Sequence, residues 1–425
     1  MGLAIVFCAS VFVLAILPPG FVSGNEPNAS VATSQWLRFR GPAGNGLAAD
    51  SATPPVEWSK DGLGGWRTEL AGSGWSSPVV TSDSVLLTAA VPRTDGGGMD
   101  LVVMVFDRAD GRLRQQFPVF AQTAEDAAKI HNKNSHASPT PVVTDERIFV
   151  HFGYQGTAAL DRQGKKLWEN RELRYPPVHG NGGSPVLVGK ALIFTCDGAE
   201  APYVAALHAD TGELLWKTPR PVDAARKFSF CTPTAIEVEG KTQVICPGSD
   251  CVTALDPSTG RILWQVRYDG YSVVPKPVYA DGLVFMATGF GPTRVLAIDP
   301  IGSGDVTDSH VRWTLDKGAP KTPSLLAHDG LLYVVSDDGI LTVVETADGS
   351  SVYKKRLGGN YSASPVLAAG KIYFTSEEGV VQVIAAGRKY QSLASNAMHE
   401  RTLASPAIVD DSIYLRTEQA LYRVQ

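Results

Sequence analysis

Long cationic and aromatic side chains precede a dipeptide that recurs along the chain, a small residue or Lys followed by Pro. They suit ligand binding, because cations attract anions and aromatic rings supply rigid contact area. A cluster of cations costs electrostatic energy unless acids or an anionic ligand offset it. The predicted binding residues are Trp75, His136, His179, Asn181, Lys227, Phe230, Tyr271, Lys276, Lys321, Asn360, Tyr361 and Arg401.

Residue types that serve in catalysis occur without the spacing that catalysis requires. His131 and His136 are five positions apart, not the four of a helical zinc site, and no third ligand is evident. Glu377–Glu378 are adjacent at a predicted strand end, so their side chains point in opposite directions. The sequence contains no Gly-x-Ser-x-Gly motif, no complete phosphate-binding loop (Gly-x-x-x-x-Gly-Lys-Ser/Thr) and no His-Glu-x-x-His motif. Hydrolase and nucleotide-binding functions therefore have no support, and we predict no catalytic residue and no metal ligand.

Four cysteines follow the N-terminal apolar segment, an even number that suits an oxidising compartment. Cys246 and Cys251 flank Pro247–Asp250, which is typical of a hairpin loop and could place the two thiols across from each other. A disulfide between Cys246 and Cys251 is one prediction, and two buried free thiols are the alternative.

The recurring dipeptide sets the organisation of the chain. It occurs eight times, and its prolines are 41 to 63 residues apart, a spacing that suits four short strands in each unit. A β-rich stretch, a turn and an aromatic-rich strand follow each pair. The eight pairs are Ser77-Pro78, Thr140-Pro141, Ser184-Pro185, Thr232-Pro233, Lys276-Pro277, Thr322-Pro323, Ser364-Pro365 and Ser405-Pro406.

A second motif, Ala-Leu-Asp-x-x-Thr-Gly-x-x-Leu-Trp, closes several units, as at Ala254–Trp264. It resembles the tryptophan-docking repeat of the PQQ-like β-propeller family, which includes quinoprotein alcohol dehydrogenases and BamB-like outer-membrane assembly proteins. The resemblance extends from Trp58 to the end of the chain. It implies an all-β fold, an eight-bladed β-propeller of four-stranded antiparallel blades, with a docking aromatic between neighbouring blades. Gln115 and Tyr353 replace the docking Trp in units one and six; a seven-bladed ring is the alternative.

The last unit lacks its own outer strand, and Gly65–Thr68 resembles the outer-strand segment Leu215–Thr218. An N-terminal strand should therefore complete the C-terminal blade and close the ring. We divide the chain into a signal peptide (1–24), an N-terminal extension (25–57) and the propeller (58–425), with a helical or loop insert at about 118–137.

In a propeller the starts of the innermost strands gather around one mouth of the channel, together with the loops between second and third strands. The predicted binding residues should converge there. Acidic residues of those loops should join them: Asp197, Glu200, Asp250, Asp337, Asp338, Glu377, Glu378 and Glu418.

The chain has a net charge of -5 and no basic block, so nucleic acid is not a predicted partner. Residues 1–24 carry no charge and contain an apolar run that ends at Pro18-Pro19-Gly20, which is typical of a secretory signal. No Lys or Arg precedes this run, so a misassigned initiation site and an uncleaved anchor helix are the alternatives. We predict a monomer in the periplasm or cell envelope, without a membrane span in the mature chain.

The predicted function is non-catalytic binding or scaffolding of a protein, peptide or saccharide at the mouth, with outer-membrane protein assembly as a specific version. We predict no cofactor. The alternative is an oxidoreductase or sensor that binds PQQ with calcium. Quinoprotein dehydrogenases of this family typically carry a vicinal disulfide under the quinone, whereas this sequence has no Cys-Cys pair.

Overall fold

A computed structural model describes residues 1–2, 35–127 and 130–425. The predicted signal peptide lies outside the described residues, except for Met1 and Gly2. No helix in the described part of the chain is long and apolar enough to cross a bilayer.

Short strands dominate the described chain, because β-branched and aromatic residues alternate with turns rich in Gly and Asp. Up to the middle of the chain the strands are β1 (Trp66–Glu69), β2 (Val79–Val80), β3 (Ser84–Pro92), β4 (Gly98–Asp107), β5 (Leu113–Thr123), β6 (Val142–Val143), β7 (Arg147–His151), β8 (Thr157–Asp161), β9 (Lys166–Asn170), β10 (Val186–Val188), β11 (Ala191–Cys196), β12 (Tyr203–His208), β13 (Leu214–Pro219), β14 (Thr234–Val238), β15 (Lys241–Gly248), β16 (Cys251–Leu255) and β17 (Ile262–Arg267).

The C-terminal strands are β18 (Val278–Ala280), β19 (Leu283–Ala287), β20 (Val295–Ile298), β21 (Gly304–Asp305), β22 (Val311–Leu315), β23 (Leu326–His328), β24 (Leu331–Val335), β25 (Ile340–Glu345), β26 (Ser351–Arg356), β27 (Val366–Ala368), β28 (Lys371–Thr375), β29 (Val380–Ala385), β30 (Ser392–Ala397), β31 (Ala407–Val409), β32 (Ser412–Arg416) and β33 (Ala420–Val424). The helices are α1 (Ala124–Ala127), in the predicted insert, α2 (Thr307–His310) and a 3-10 turn at Gly153–Gln155.

These strands form eight sheets, seven of four strands and one of five. Each sheet is one blade of antiparallel neighbours, and the predicted all-β, eight-bladed propeller is confirmed; the seven-bladed alternative is wrong. In blade 4 the short strand β21 adds a parallel fifth strand to β17.

The ring closes as predicted, because β1 is the outer strand of blade 8. It pairs antiparallel with β33, with Trp66 opposite Arg423 and Glu69 opposite Ala420. Chain segments more than 350 residues apart therefore share one sheet, which leaves the ring without an open seam.

Hydroxyl side chains join the blades around the channel. At six junctions the backbone N–H of one inner-strand start donates to the Ser or Thr hydroxyl at the next, at 2.8 to 3.0 Å. The acceptors are Thr140, Ser184, Thr232, Ser324, Ser364 and Ser405, and with Ser77 we call these seven side chains the hydroxyl ring. In unit six the predicted pair Thr322-Pro323 is two residues out of register, because Ser324 makes these bonds and β23 begins at Leu326. Lys276 holds the eighth position.

Four docking tryptophans, Trp66, Trp168, Trp216 and Trp313, pack on glycines of the next blade. Trp216 donates from Nε1 to the Pro257 carbonyl at 2.9 Å, and its ring lies over Gly260. In blade 1 the predicted docking residue Gln115 pairs with Val105 at the expected register. The aromatic contact comes instead from Phe117, whose ring lies over Gly164 of blade 2.

The substitution Gly260→Ala should destabilise the protein more than Gly330→Ala does. Both glycines have φ near +70°, so both alanines carry a backbone cost of about 1–2 kcal/mol. A Cβ at Gly260 would lie 2.6 Å from the Trp216 ring, whereas nothing lies within 4 Å of one at Gly330. Overpacking should add about 1–3 kcal/mol at Gly260. Equal unfolding midpoints in urea for the two variants would contradict docking through this glycine.

Residues of the N-terminal extension pack under the ring, at the end of the channel away from the mouth. Trp36 exchanges backbone hydrogen bonds with Val80, and Ala48 donates to Leu367. Between them Arg40, at φ 64°, is only 1% exposed and reaches the carbonyl of Leu325 at 2.7 Å. This segment forms the floor of the channel.

Candidate functional site

A cavity of about 380 Å³ opens at the mouth of the channel, where the inner strands begin. Its upper wall is an arc of aromatic side chains contributed by successive blades. Ring centroids are 5.2 Å apart from His131 to His179 and from His179 to Phe228, then 6.0 Å to Tyr271 and 6.1 Å to Phe290. We call these five residues the aromatic arc. Phe230 and Trp75 add further rings to the wall.

Backbone hydrogen bonds hold the loops that carry the arc. Tyr271 and Phe290 exchange N–H to carbonyl bonds at 3.0 and 2.8 Å. Ser272 donates to the Phe228 carbonyl at 3.0 Å, which ties blade 5 to blade 4. The rings are therefore preorganised, which reduces the entropy lost when a ligand binds.

Cationic side chains lie over aromatic rings at the rim. Arg226 lies 4.3 Å from the Tyr271 centroid, Lys321 lies 5.3 Å from Phe290, and Arg401 lies 5.3 Å from Trp75. Each contact holds a positive charge at the opening.

The lower wall is polar and uncharged. It is formed mainly by the hydroxyl ring, and Phe39 of the N-terminal extension also lines the cavity. Burial and the neighbouring His131 lower the pKa of His179, which leaves its imidazole neutral at pH 7. The cavity thus combines a hydroxyl-lined base, aromatic walls and a cationic rim.

Six of the predicted binding residues lie together at this mouth. Trp75, His179, Phe230 and Tyr271 line the cavity, and Lys321 and Arg401 lie on its rim. Two more are turned to the surface, where Lys227 pairs with Asp223 at 2.9 Å and Asn360 binds Glu378.

Four predicted residues are buried or form hydrogen bonds within the fold. The His136 ring forms hydrogen bonds within the insert: Nδ1 lies 3.1 Å from Nε2 of Gln122, and Nε2 lies 3.2 Å from the Ala127 carbonyl oxygen. Burial lowers the pKa of His136. Asn181 is buried and donates to the Phe152 carbonyl. Tyr361 is fully buried in an interblade core, and Lys276 is buried below the cavity. The structure thus places these four side chains away from the open cavity, because a start-of-strand position does not fix where the side chain points.

Sequence reasoning omitted Arg226, His131 and Phe290 from the predicted binding residues. Arg226 immediately precedes the predicted Lys227, so the prediction chose the correct loop but the wrong one of two adjacent cations. Phe290 lies between Gly289 and Gly291 in a loop joining second and third strands. An exposed aromatic between two glycines in such a loop was the available signal.

The predicted disulfide is also absent, since Cys196, Cys231, Cys246 and Cys251 are free and buried. The turn holds two residues, so Cys246 lies opposite Thr253 and Cys251 opposite Gly248. Burial raises the pKa of Cys246 to about 12 and that of Cys251 to about 11, which keeps both thiols protonated. The alternative, buried free thiols, describes the structure. Among the described residues no group of three His, Cys, Asp or Glu is placed to hold a metal ion.

A family profile matches most of the chain, and individual relatives match parts of it. The sequence profile of a PQQ-repeat family, described as outer membrane protein assembly factor BamB, matches residues 56–221, 200–328 and 304–423. BamB of Yersinia pestis is 24% identical over 201 residues, 41% of this chain and 47% of the relative. Subunit 1 of the cytochrome c-linked methanol dehydrogenase of Methylorubrum extorquens is 28% identical over 163 residues, 32% of this chain and 24% of the relative. Each alignment thus spans less than half of the relative's length.

Among solved structures, the chain is similar to the quinohemoprotein alcohol dehydrogenase of Comamonas testosteroni, with a TM-score of 0.67 and 13% identity. The match covers 93% of this chain and 81% of that one. At this identity the likeness shows the fold alone.

Proposed function

Because the chain belongs to the PQQ-repeat family described as outer membrane protein assembly factor BamB, we propose that it is a binding protein of the cell envelope that holds a polypeptide partner at the channel mouth, in the assembly of outer-membrane proteins. The apolar, uncharged N-terminal segment supports export. Similarity to BamB supports the assembly role.

The observation that carries this proposal is the aromatic arc with its cationic rim. Aromatic and arginine side chains in preformed concave sites dominate the energetics of protein recognition. Here they come from several blades, and backbone hydrogen bonds fix their loops. Binding therefore requires little reorganisation of the propeller.

Quinone chemistry is the other activity known among the relatives, and the cavity does not fit its calcium ion. Calcium takes six to eight oxygen ligands, with carboxylates prominent among them. The described residues that line the cavity include no Asp or Glu, whereas Lys133 and Arg226 bring positive charge. Titration of the protein with calcium, with and without PQQ present, should show no calcium-dependent change in absorbance.

Site-specific photo-crosslinking in the producing bacterium tests the location of the binding surface. A photoreactive residue at Phe290 should crosslink to proteins of the outer-membrane assembly pathway. The same residue at Leu214, which is exposed on an outer strand of blade 3, is the matched control. Equal crosslinking at both positions, or crosslinking at Leu214 alone, would move recognition to the outer blade edges.

The double substitution Trp75→Ala/Tyr271→Ala should weaken binding of the crosslinked partner by about 30-fold or more, as truncation of central aromatic anchors does at other interfaces. Isothermal titration calorimetry measures this change. The control Leu214→Ala/Leu215→Ala removes exposed apolar side chains of blade 3 and should leave the affinity unchanged. Unchanged affinity of the mouth variant would contradict the proposed function.

A further inference from the structure

Lys276 interrupts the hydroxyl ring. The other seven blades carry Ser or Thr at this position, and six of these hydroxyls accept a hydrogen bond from the backbone of the preceding blade. At blade 5 this hydroxyl is absent, so the Thr232 side of the junction lacks the bond that the repeat provides elsewhere. A cation at this position therefore gives up a structural hydrogen bond.

The Lys276 ammonium is buried beside two further cations. Lys276 is 4% exposed and donates from Nζ to the Gly44 carbonyl at 2.7 Å. Arg40 is 1% exposed, and its guanidinium donates to the carbonyls of Asn45 and Leu325 at 2.6 and 2.7 Å. In the described part of the chain, Nε of Arg38 and Nε of Arg40 are buried without a hydrogen-bond partner.

Among the described residues, no Asp or Glu forms an ion pair with Lys276, Arg38 or Arg40. Burial, together with the nearby Arg40 and Arg38, lowers the pKa of Lys276 to about 7, while the Cys231 thiol acts in the other direction. Burial alone lowers the pKa of Arg40 to about 9. Unpaired charges in a buried site are unfavourable, and an anion nearby would relieve the cost.

The cationic cluster lies behind the base of the cavity, and Lys276, Arg38 and Arg40 do not themselves line it. Thr232 and Ser324, on the blades either side of Lys276, line it, and so does Phe39, which lies between Arg38 and Arg40 in the chain. The described lining residues contain no carboxylate. The base of the cavity therefore has a positive potential, hydroxyl donors and aromatic walls above.

We propose that the channel cavity binds an organic carboxylate whose apolar or aromatic body packs on the aromatic arc while its carboxylate faces the hydroxyl ring above Lys276 and Arg40. The cavity volume of about 380 Å³ suits a group of one or two amino acids. This inference rests on the proposed function and names the chemical group that a partner inserts.

Two probes that differ only in charge test the inference by calorimetry on the full chain. N-acetyl-L-tryptophan is an anion, and N-acetyl-L-tryptophanamide is its neutral equivalent. The anion should bind at least about tenfold more tightly, in line with the strength of hydrogen bonds to charged groups.

Lys276→Ser supplies the hydroxyl of the other seven blades, so this variant should fold at least as well as the parent. Its preference for the anionic probe should fall toward one. Lys190→Ser makes the same change of charge at a side chain that is 73% exposed and should keep the preference. Arg40→Met provides a second removal of the buried charge, and its preference should also fall.

Equal binding of the two probes, or binding of neither, would overturn the inference. So would an unchanged preference in Lys276→Ser, or inorganic phosphate that competes as strongly as the aromatic anion. A partner that crosslinks at Phe290 while the probes bind equally would remove this inference and leave the proposed function standing.

Discussion

Deletion of residues 52–70 will open the ring and replace one cooperative unfolding transition by a broad one at lower temperature. The deletion removes β1, so the backbone of β33 loses its partners from Trp66 to Glu69. It also removes apolar side chains that pack in the blade 8 and blade 1 core, among them Ala52 and Trp58. At about 1.5–3 kcal/mol for each large buried apolar side chain, the loss should exceed about 5 kcal/mol. Differential scanning calorimetry measures this change.

A rearranged chain provides the control for the deletion. Residues 64–70 fused after Gln425 should restore most of the lost stability, because Trp66 pairs with Arg423 and only three residues, Gln425, Gly64 and Gly65, then connect β33 to β1. A deletion variant that melts like the parent would show that β1 does not close the ring. A fused chain that melts like the deletion variant would show that the loss arises elsewhere.

Asp197→Ala should cost about 3–5 kcal/mol, because it leaves the Arg220 guanidinium buried without its counterion. Nε and Nη2 of Arg220 donate to the two carboxylate oxygens of Asp197 at 2.9 and 2.6 Å. Burial by itself lowers the pKa of Arg220, but the Asp197 carboxylate outweighs this effect and raises it, so the side chain stays charged. Arg220 also donates to the Cys246 carbonyl at 2.6 Å, which links blades 3 and 4.

An exposed ion pair serves as the control. Asp210 bridges Arg147 and Lys190 at the surface between blades 2 and 3, and Asp210→Ala should cost no more than about 1 kcal/mol. The double variant Asp197→Ala/Arg220→Met should recover much of the loss, since it removes the stranded charge. Equal urea midpoints for Asp197→Ala and Asp210→Ala would show that the buried pair does not stabilise the propeller.

The buried pair also explains why one predicted acid is missing from the mouth. Asp197 lies in a loop between second and third strands, as expected, but Arg220 of the same blade draws it into the interblade interface. At the mouth, Glu377 accepts from Lys133 at 2.7 Å and Asp337 accepts from the Lys321 backbone at 2.6 Å. These acids lie on the rim and do not line the cavity.

The sequence by itself determined the number of blades, their order and the closure of the ring. The spacing of the small-residue and proline pairs is set by four strands and their turns, and the Gly of the docking motif must accept an aromatic ring from the neighbouring blade. These requirements are local, and the sequence of each repeat contains the residues that meet them. Where one signal shifted, as at Thr322-Pro323 and Gln115, the neighbouring residues Ser324 and Phe117 took the structural role and the blade was preserved.

Only the tertiary structure decided which side chains reach the cavity. Residues before the inner strands lie in irregular loops, where a shift of one residue turns a side chain from the channel to the surface, as Arg226 and Lys227 show. Burial of Tyr361 depends on a core shared by two blades, and the register of Cys246 depends on a two-residue turn. Lys276 faces a carbonyl from a segment more than 230 positions earlier in the chain, and no local pattern encodes that contact. The buried charges of Lys276 and Arg40 below the cavity therefore depend on the closed ring and on its N-terminal floor together.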